Sequence, residues 1–212
     1  MAVDAAAFIR ANTRPGRAAL VPEVALHLAD AVTPLWQASE VWLAEAEVAP
    51  PYWAFAWPGG QALARWVLDG PERVRGCRVL DFAAGCGIGA IACAQAGAGR
   101  VEAAEIDRVA AVAIGLNAGL NGVGVEVRHE DLVGRCEDWE MILCGDVCYE
   151  APMTRHILPW LQACAGRAEV WIADPGRAYL PAGLTATACY EVPTSLDLED
   201  RTMRRTTIYR LG

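Results

Sequence analysis

The sequence predicts an α/β fold: a doubly wound, mostly parallel seven-stranded sheet with a helical N-terminal segment. Three observations predict it. Apolar strand-like runs alternate with helical patterns from about residue 77 to residue 174. The run VLDFAAGCGIG, residues 79 to 89, passes from a strand through an acid, Asp81, and a glycine turn into a helix. Two further strand-like pieces, at 185 to 192 and 204 to 211, have no helix between them and read as an antiparallel pair.

Residues 1 to 50 read as a helical segment or lid, and residues 51 to 212 as the main domain. Pro22 suits a helix start before EVALHLAD, and Thr33-Pro34 ends that pattern. Residues 35 to 48, LWQASEVWLAEAEV, fit a helix or a strand. An aromatic junction, PPYWAFAWPGG, leads to a helix from about Gln61 to Leu68. The first core strand is expected at 77 to 81, with a helix at 88 to 97. The second strand, 101 to 105, ends in an acid, Glu105, and a helix at 108 to 120 follows. Strands at 125 to 129, 139 to 145 and 169 to 174, with a helix at 153 to 165, complete the alternating part.

Composition narrows the function. The chain has 212 residues, 54% of them hydrophobic, enough for one sizeable core. Its net charge is −8 and its 18 basic residues are all arginine. The acidic balance argues against a nucleic-acid partner and suits a basic protein surface. No apolar run reaches membrane-spanning length. The start, MAVDAAAFIR, lacks the basic and apolar regions of a signal peptide, so the cytoplasm is the expected compartment. Eight cysteines without a Cys-x-x-Cys or a histidine pattern read as small buried hydrophobes, and no metal site is expected.

The order of acid and glycine in VLDFAAGCGIG constrains the ligand. Dinucleotide folds place glycine directly after the first strand, so that a pyrophosphate meets a helix N-terminus. A carboxylate there repels pyrophosphate and suits a cationic nucleoside such as S-adenosylmethionine. Glu105, at the second strand end, suits a ribose diol. The competing reading is a βαβ crossover with a tight turn.

Three further stretches carry a family resemblance: PYWAFAWPGGQALARWVLD at 51 to 69, GDVCYE at 145 to 150 and DPGRAYLP at 174 to 181. With FIRANT and TPLWQASE near the start, they resemble the lysine methyltransferases of the electron transfer flavoprotein β-subunit, in their bacterial form. These belong to the seven-strand, Rossmann-like class I methyltransferases. The chain also resembles the ribosomal-protein lysine methyltransferases in its core. One departure is Ala83, where the family has the first glycine of Asp-x-Gly-x-Gly-x-Gly. Alanine is expected to forbid a freely positive φ there.

The resemblance implies methyl transfer from S-adenosylmethionine, leaving S-adenosylhomocysteine, to protein lysines. The expected substrate is the flavoprotein β-subunit, with a ribosomal protein as alternative and a monomeric enzyme. Asp81, Ala83, Gly85 and Gly87 would hold the methionine part of the donor. Gly89 is equally well read as helix–strand packing. Glu105 would accept from both ribose hydroxyls, and Asp131 from the adenine amino group with Leu132 over the ring. Trp57 would pack from the lid side, with Gln61 and Trp53 as lesser candidates, and Gly145 would line the donor site. Asp107 reads as a helix cap. His27, His129 and His156 read as structural, the first and last on apolar helix faces.

Asp146 and Tyr149 are the expected catalytic pair, because ligands sit at the C-terminal strand edge of a doubly wound sheet. Neutralising a lysine of pKa about 10.4 near neutral pH costs roughly 4 kcal/mol. A nearby aspartate opposes that loss. Asp146 is therefore expected to bind and align the amine rather than act as a simple base, and Tyr149 to pack on its stem or face a methylated ammonium. The competing reading makes Asp146 a helix N-cap and Tyr149 a surface aromatic. Asp174 and Arg177 read as a turn or a substrate-facing rim. The other functions weighed are a small-amine or pyridine methyltransferase, a non-catalytic donor-binding scaffold and, weakest, a nicotinamide dehydrogenase.

Overall fold

The computed structural model describes residues 4–29, 35, 50–195 and 199–212. Helix α1 spans Ala5–Asn12, with Asp4 capping it by accepting from the amides of Ala6 and Ala7. Strands β1 (Arg14–Ala18) and β2 (Val21–Leu28) form an antiparallel hairpin. This corrects the helix expected from EVALHLAD. The second edge of β2 explains the change. His27 N–H donates to Asn117 Oδ1 at 2.7 Å, and Ala25 N–H donates to Asn121 Oδ1 at 2.9 Å. Those asparagines lie on a helix and at its C-cap, 90 or more residues away, so they satisfy a strand edge that no local pattern announces. His27 accordingly sits on a strand, 3.3 Å from Thr13 Oγ1. The ambiguous stretch 35 to 48 lies outside the described residues except for Leu35, which is buried.

A 3-10 turn, Tyr52–Ala54, precedes α2 (Pro58–Asp69), which starts earlier than expected because Pro58 occupies its first position. Then follow β3 (Arg78–Phe82), α3 (Ile88–Gln95), β4 (Arg100–Ala104), α4 (Arg108–Leu120) and β5 (Glu126–Arg128). The chain continues through β6 (Met141–Gly145), α5 (Ala151–Cys164), β7 (Glu169–Asp174), β8 (Thr185–Pro193) and β9 (Met203–Leu211).

The seven-stranded sheet has the order β5-β4-β3-β6-β7-β9-β8, with β9 antiparallel to both β7 and β8. The other pairs are parallel, as the doubly wound expectation requires. Both faces of the sheet are covered. Val79, Leu143, Trp171 and Ala173 pack with α2 and α3, while Leu80, Phe82, Ile142 and Ile172 pack with α5. The strand order reverses between β3 and β6, where register pairs Phe82 with Cys144. A crevice opens at the carboxyl ends of strands at such a point. The hairpin and α1 pack on α4, beside Trp53 and Phe55.

No helix among the described residues is long and apolar enough to cross a membrane, and no group of three metal-ligating side chains occurs among them. All eight cysteines are free. Five are buried as expected, whereas Cys136 and Cys189 are exposed and Cys77 is half-buried.

Candidate active site

A cavity of about 890 Å³ lies at the carboxyl ends of β3, β4 and β6. Its wall includes Trp57, Asp81, Ala83, Gly85, Glu105, Asp131, Gly145, Asp146 and Tyr149. Of the residues expected there, Gly87, Gln61 and Leu132 stay off the wall.

Asp81 is the penultimate residue of β3, on the sheet face covered by α3. Its Oδ2 accepts from Ala90 N–H at 2.7 Å, so the carboxylate meets the first turn of α3. Gly89 makes room for it, since a Cβ there would lie 2.9 Å from Asp81 Oδ2. Burial pushes Asp81 up to about 7, and the charge of Glu105 adds to the shift. Gly87 caps α3 at φ 75°, and a Cβ there would press on Ile114 at 3.0 Å, which gives it a packing role. Ala83 adopts φ 52°, against the expectation that alanine would forbid a positive value. The turn imposes the left-handed conformation at a cost of roughly 1–2 kcal/mol.

Glu105 follows β4. Its Oε2 accepts from Gly85 N–H at 3.0 Å, and its Oε1 accepts from Ile106 N–H at 2.8 Å and Asp107 N–H at 3.2 Å. The carboxylate thus ties the glycine loop to the β4–α4 turn. Burial raises its pKa despite these three donors. Asp107 caps α4, accepting from Val109 N–H at 2.7 Å.

Asp131 is half exposed. It accepts from Val133 N–H at 2.9 Å and lies 3.0 Å from His156 Nε2. These partners outweigh its partial burial and lower its pKa. His156 is therefore an exposed partner on the cavity wall, not a residue on an apolar helix face. Leu132 points into the core, and its neighbour Val133 reaches the wall instead. His129 Nε2 lies 3.1 Å from Ile106 O.

Asp146 sits one residue beyond β6 at φ 55°, a conformation aspartate tolerates better than most residues. It does not cap α5, whose N-cap position is Glu150. Its Oδ2 accepts from Gly59 N–H at the start of α2, and its Oδ1 accepts from Arg177 Nη2 at 3.1 Å. Two glycines allow this approach. A Cβ on Gly59 would lie 2.5 Å from Asp146 N, and one on Gly145 would lie 2.7 Å from Gly60 N. The Trp-Pro-Gly-Gly segment thus aims a helix N-terminus at the end of β6. Burial pushes Asp146 up to about 6, opposed by Arg177 and the Gly59 amide.

Aromatic side chains form the rim. Tyr52 stands 5.9 Å from both Trp57 and Tyr149, and Trp57 lies 6.2 Å from Phe55, centroid to centroid. Tyr52 and Tyr149 are 51% and 42% exposed, so the mouth near Asp146 opens to solvent. Trp57 is oriented by its indole N–H, which donates to Tyr52 O at 2.8 Å. Burial pushes Tyr149 up to about 12, which keeps its hydroxyl protonated. Trp53 is a wall residue but almost fully buried, whereas Gln61 braces the chain away from the cavity, donating to Ala56 O at 2.7 Å.

From the sequence, Arg177 reads as a turn or rim residue. The structure places its guanidinium on the cavity wall beside Asp146. The reason glycine is needed at 59 and 145 was also hidden. Both depend on an approach between segments 87 residues apart.

Comparison with known proteins supplies relatives. The family model described as ribosomal protein L11 methyltransferase (PrmA) matches residues 66–145. The chain is 41% identical over 176 residues to a Xenopus laevis protein, electron transfer flavoprotein beta subunit lysine methyltransferase, covering 81% of this chain and 70% of the frog protein. The Danio rerio protein of the same name is 35% identical over 201 residues, covering 90% of this chain and 76% of the fish protein. Among solved structures, magnesium protoporphyrin IX methyltransferase from Synechocystis superposes with a TM-score of 0.54 at 17% identity, over 72% of this chain and 78% of that one. That likeness speaks to the fold.

Proposed function

The chain belongs to the electron transfer flavoprotein β-subunit lysine methyltransferase family, and we propose that it transfers methyl groups from S-adenosylmethionine to lysine side chains of that β-subunit. One observation carries the proposal. Asp81 and Glu105, the two acids expected on the donor side, line the same cavity as Asp146, the acid expected to hold the amine.

The residues suit the donor. Asp81 and Glu105 are carboxylates that burial holds above their usual pKa, facing a cavity of about 890 Å³. A cationic ligand relieves that cost. In this reading Asp81, Ala83, Gly85 and Gly145 hold its methionine end, Glu105 its ribose hydroxyls, Asp131 the adenine side, and Trp57 closes the cavity from the lid side. Gly87 supports the loop from behind. Once bound, the donor supplies an activated methyl group.

Everything else falls to this chain's own residues. Asp146 is fixed by Gly59 N–H and Arg177 yet keeps unused lone pairs toward the cavity, since a carboxylate offers about four. It aligns the lysine nitrogen through them. Tyr149 and Tyr52 flank the lysine stem and exclude water from the amine. The exposed rim favours a protein substrate over a small amine enclosed in a pocket. The L11 methyltransferase family model ends at residue 145, before Asp146 and Tyr149, so it bears on the donor half and leaves the ribosomal alternative without support from the acceptor half.

We also propose that residues 1–50 serve as a lid segment on a single domain, 51–212, and that the enzyme works as a cytoplasmic monomer. Eight free cysteines suit a reducing compartment. The test of the function is incubation with methyl-labelled S-adenosylmethionine and purified β-subunit, followed by mass spectrometry of its lysines. Label on those lysines supports the proposal. Label only in a small molecule, or on another protein, overturns it.

A further inference from the structure

An aspartate that aligns a lysine amine also holds that amine protonated, and a protonated amine has no lone pair with which to attack. The structure contains a counterweight. Arg177, on the turn after β7, donates from Nη2 to Asp146 Oδ1 at 3.1 Å and to Glu199 Oε1 at 2.6 Å. Its Nη1 donates to Glu199 Oε2 at 3.3 Å. The turn itself is fixed, because Asp174 Oδ1 accepts from the backbone amides of Gly176 at 2.7 Å and Arg177 at 2.6 Å. Glu199 is almost fully buried and also accepts from Arg204 Nη2 at 2.8 Å. Two carboxylates thus hold the guanidinium of Arg177, a third holds its backbone amide, and the residue lies on the cavity wall.

We propose that Arg177 is a positioning residue for methyl transfer: it fixes the Asp146 carboxylate and cancels its field at the acceptor nitrogen, so the aspartate aligns a bound lysine without holding it protonated. The inference rests on the reading of Asp146 given above. The charged and titratable groups around the pair come from every packed element. They are Asp174 at the end of β7, Glu199 before β9, Arg204 on β9, Cys148 and Tyr149 on the loop of Asp146, and the N-terminus of α2. Burial works against the charge on Arg177, but Glu199 and Asp146 outweigh it, so the guanidinium stays charged at every working pH.

The chemistry balances simply. The amine gives its proton to solvent, its lone pair forms the new N–C bond, and the C–S bond breaks with its electrons returning to sulfur. Arg177 gains and loses nothing and acts only on the first of these events.

The test is kcat against pH at saturating donor and β-subunit, which reports ionisations in the bound complex. Arg177→Gln is expected to move the acid limb upward by about one pH unit or more, since one adjacent charge shifts a pKa by about 1–3 units. Arg177→Lys keeps the charge and is expected to keep the limb near its wild-type position at a lower rate. Glu199→Gln frees the positive charge of Arg177 and is expected to move the limb downward. Opposite shifts are a signature that simple structural damage does not give, and Glu199→Gln carries the test alone if Arg177→Gln does not fold. Calorimetry of β-subunit binding with S-adenosylhomocysteine present, in two buffers of different ionisation enthalpy, gives a readout without turnover. Wild type should release more protons than Arg177→Gln. Unmoved limbs, or limbs moving the same way in both variants, overturn the proposal. If Asp146→Asn keeps wild-type kcat, the reading of Asp146 itself has failed; if it is inactive while the limbs stay put, only the role of Arg177 has.

Discussion

Replacing Gly59 with alanine should damage stability and catalysis together. The new Cβ would lie 2.5 Å from Asp146 N, 2.6 Å from Ala173 O and 2.6 Å from Asp146 Oδ2. Ordinary contacts begin near 3.4 Å, so α2 must retreat by about 1 Å. Two of the three atoms are backbone, joined by the Asp146 N–H to Ala173 O bond at 3.0 Å, and cannot rotate away. Overpacking of this kind costs about 1–3 kcal/mol. Retreat also loosens the Gly59 N–H bond to a buried carboxylate, a class worth roughly 1.5–3 kcal/mol. A combined loss of about 3 kcal/mol lowers Tm by about 6–12 °C for a domain of this size. A shift of about 1 Å at Asp146 should reduce kcat by about 10- to 100-fold. Gly115, exposed on α4 with nothing within 4 Å of an added Cβ, is the control. Gly115→Ala should gain about 0.4–1 kcal/mol. Thermal melts and methyl-transfer rates of the two variants decide the matter. A Gly59→Ala protein that melts and turns over like wild type would refute the close-approach argument.

Asp81→Asn tests the donor side through pH. Burial lifts Asp81 from 3.8 to about 7 in the fold, so the native state binds that proton more tightly than the unfolded chain, and stability falls as pH rises between those values. Asn removes a penalty on the order of 4 kcal/mol above pH 7. The variant should melt higher than wild type at pH 8 and alike at pH 4, while losing most of the Tm rise that S-adenosylmethionine gives wild type; differential scanning fluorimetry reads both. Ala83→Gly relieves the φ 52° strain, partly offset by a freer unfolded chain, and should raise stability by about 0.5–1 kcal/mol in urea melts. Tyr149→Ala removes an exposed rim aromatic and should leave Tm unchanged while lowering kcat/KM for the β-subunit about 2- to 30-fold, the range of a cation–π contact worth about 0.5–2 kcal/mol.

Legibility followed the distance over which each feature is determined. The strands from Arg78 to Asp174 were readable because parallel strands buried on both faces form apolar runs, as MILCG and EVWIAD do. Asp81 and Glu105 are readable because each lies within one residue of its strand's carboxyl end, next to the turn it serves. The β1–β2 hairpin was not. VPEVALHL satisfies a helical period as well as a strand, and Asn117 on α4 and Asn121 at its C-cap decide between them. Ala83 departs from its local preference for a related reason. Local preference disfavours φ 52°, but Gly85 N–H bonded to Glu105 Oε2 closes the loop and holds its start.

The acceptor side shows where local reading stops. Asp-x-x-Tyr exposes an acid and an aromatic, and from those two residues alone the electrostatics point the wrong way, toward an amine kept protonated. The correction comes from Arg177, 31 residues after Asp146, and from Glu199, 22 residues further on. Arg177 lies in DPGRAYLP, which marks a turn or rim and not a partner of Asp146, and no sequence pattern marks Glu199. A buried glutamate shared between two arginines costs desolvation, and replacing such clusters by apolar residues is often neutral or stabilising. The role proposed for Arg177 gives this cluster an electrostatic use beside the acceptor site. Its order is carboxylate, guanidinium, carboxylate, guanidinium, running from the cavity wall into the fold, with the first carboxylate on that wall. Removing either inner charge should therefore change what the outer aspartate does to a lysine without touching the lysine itself.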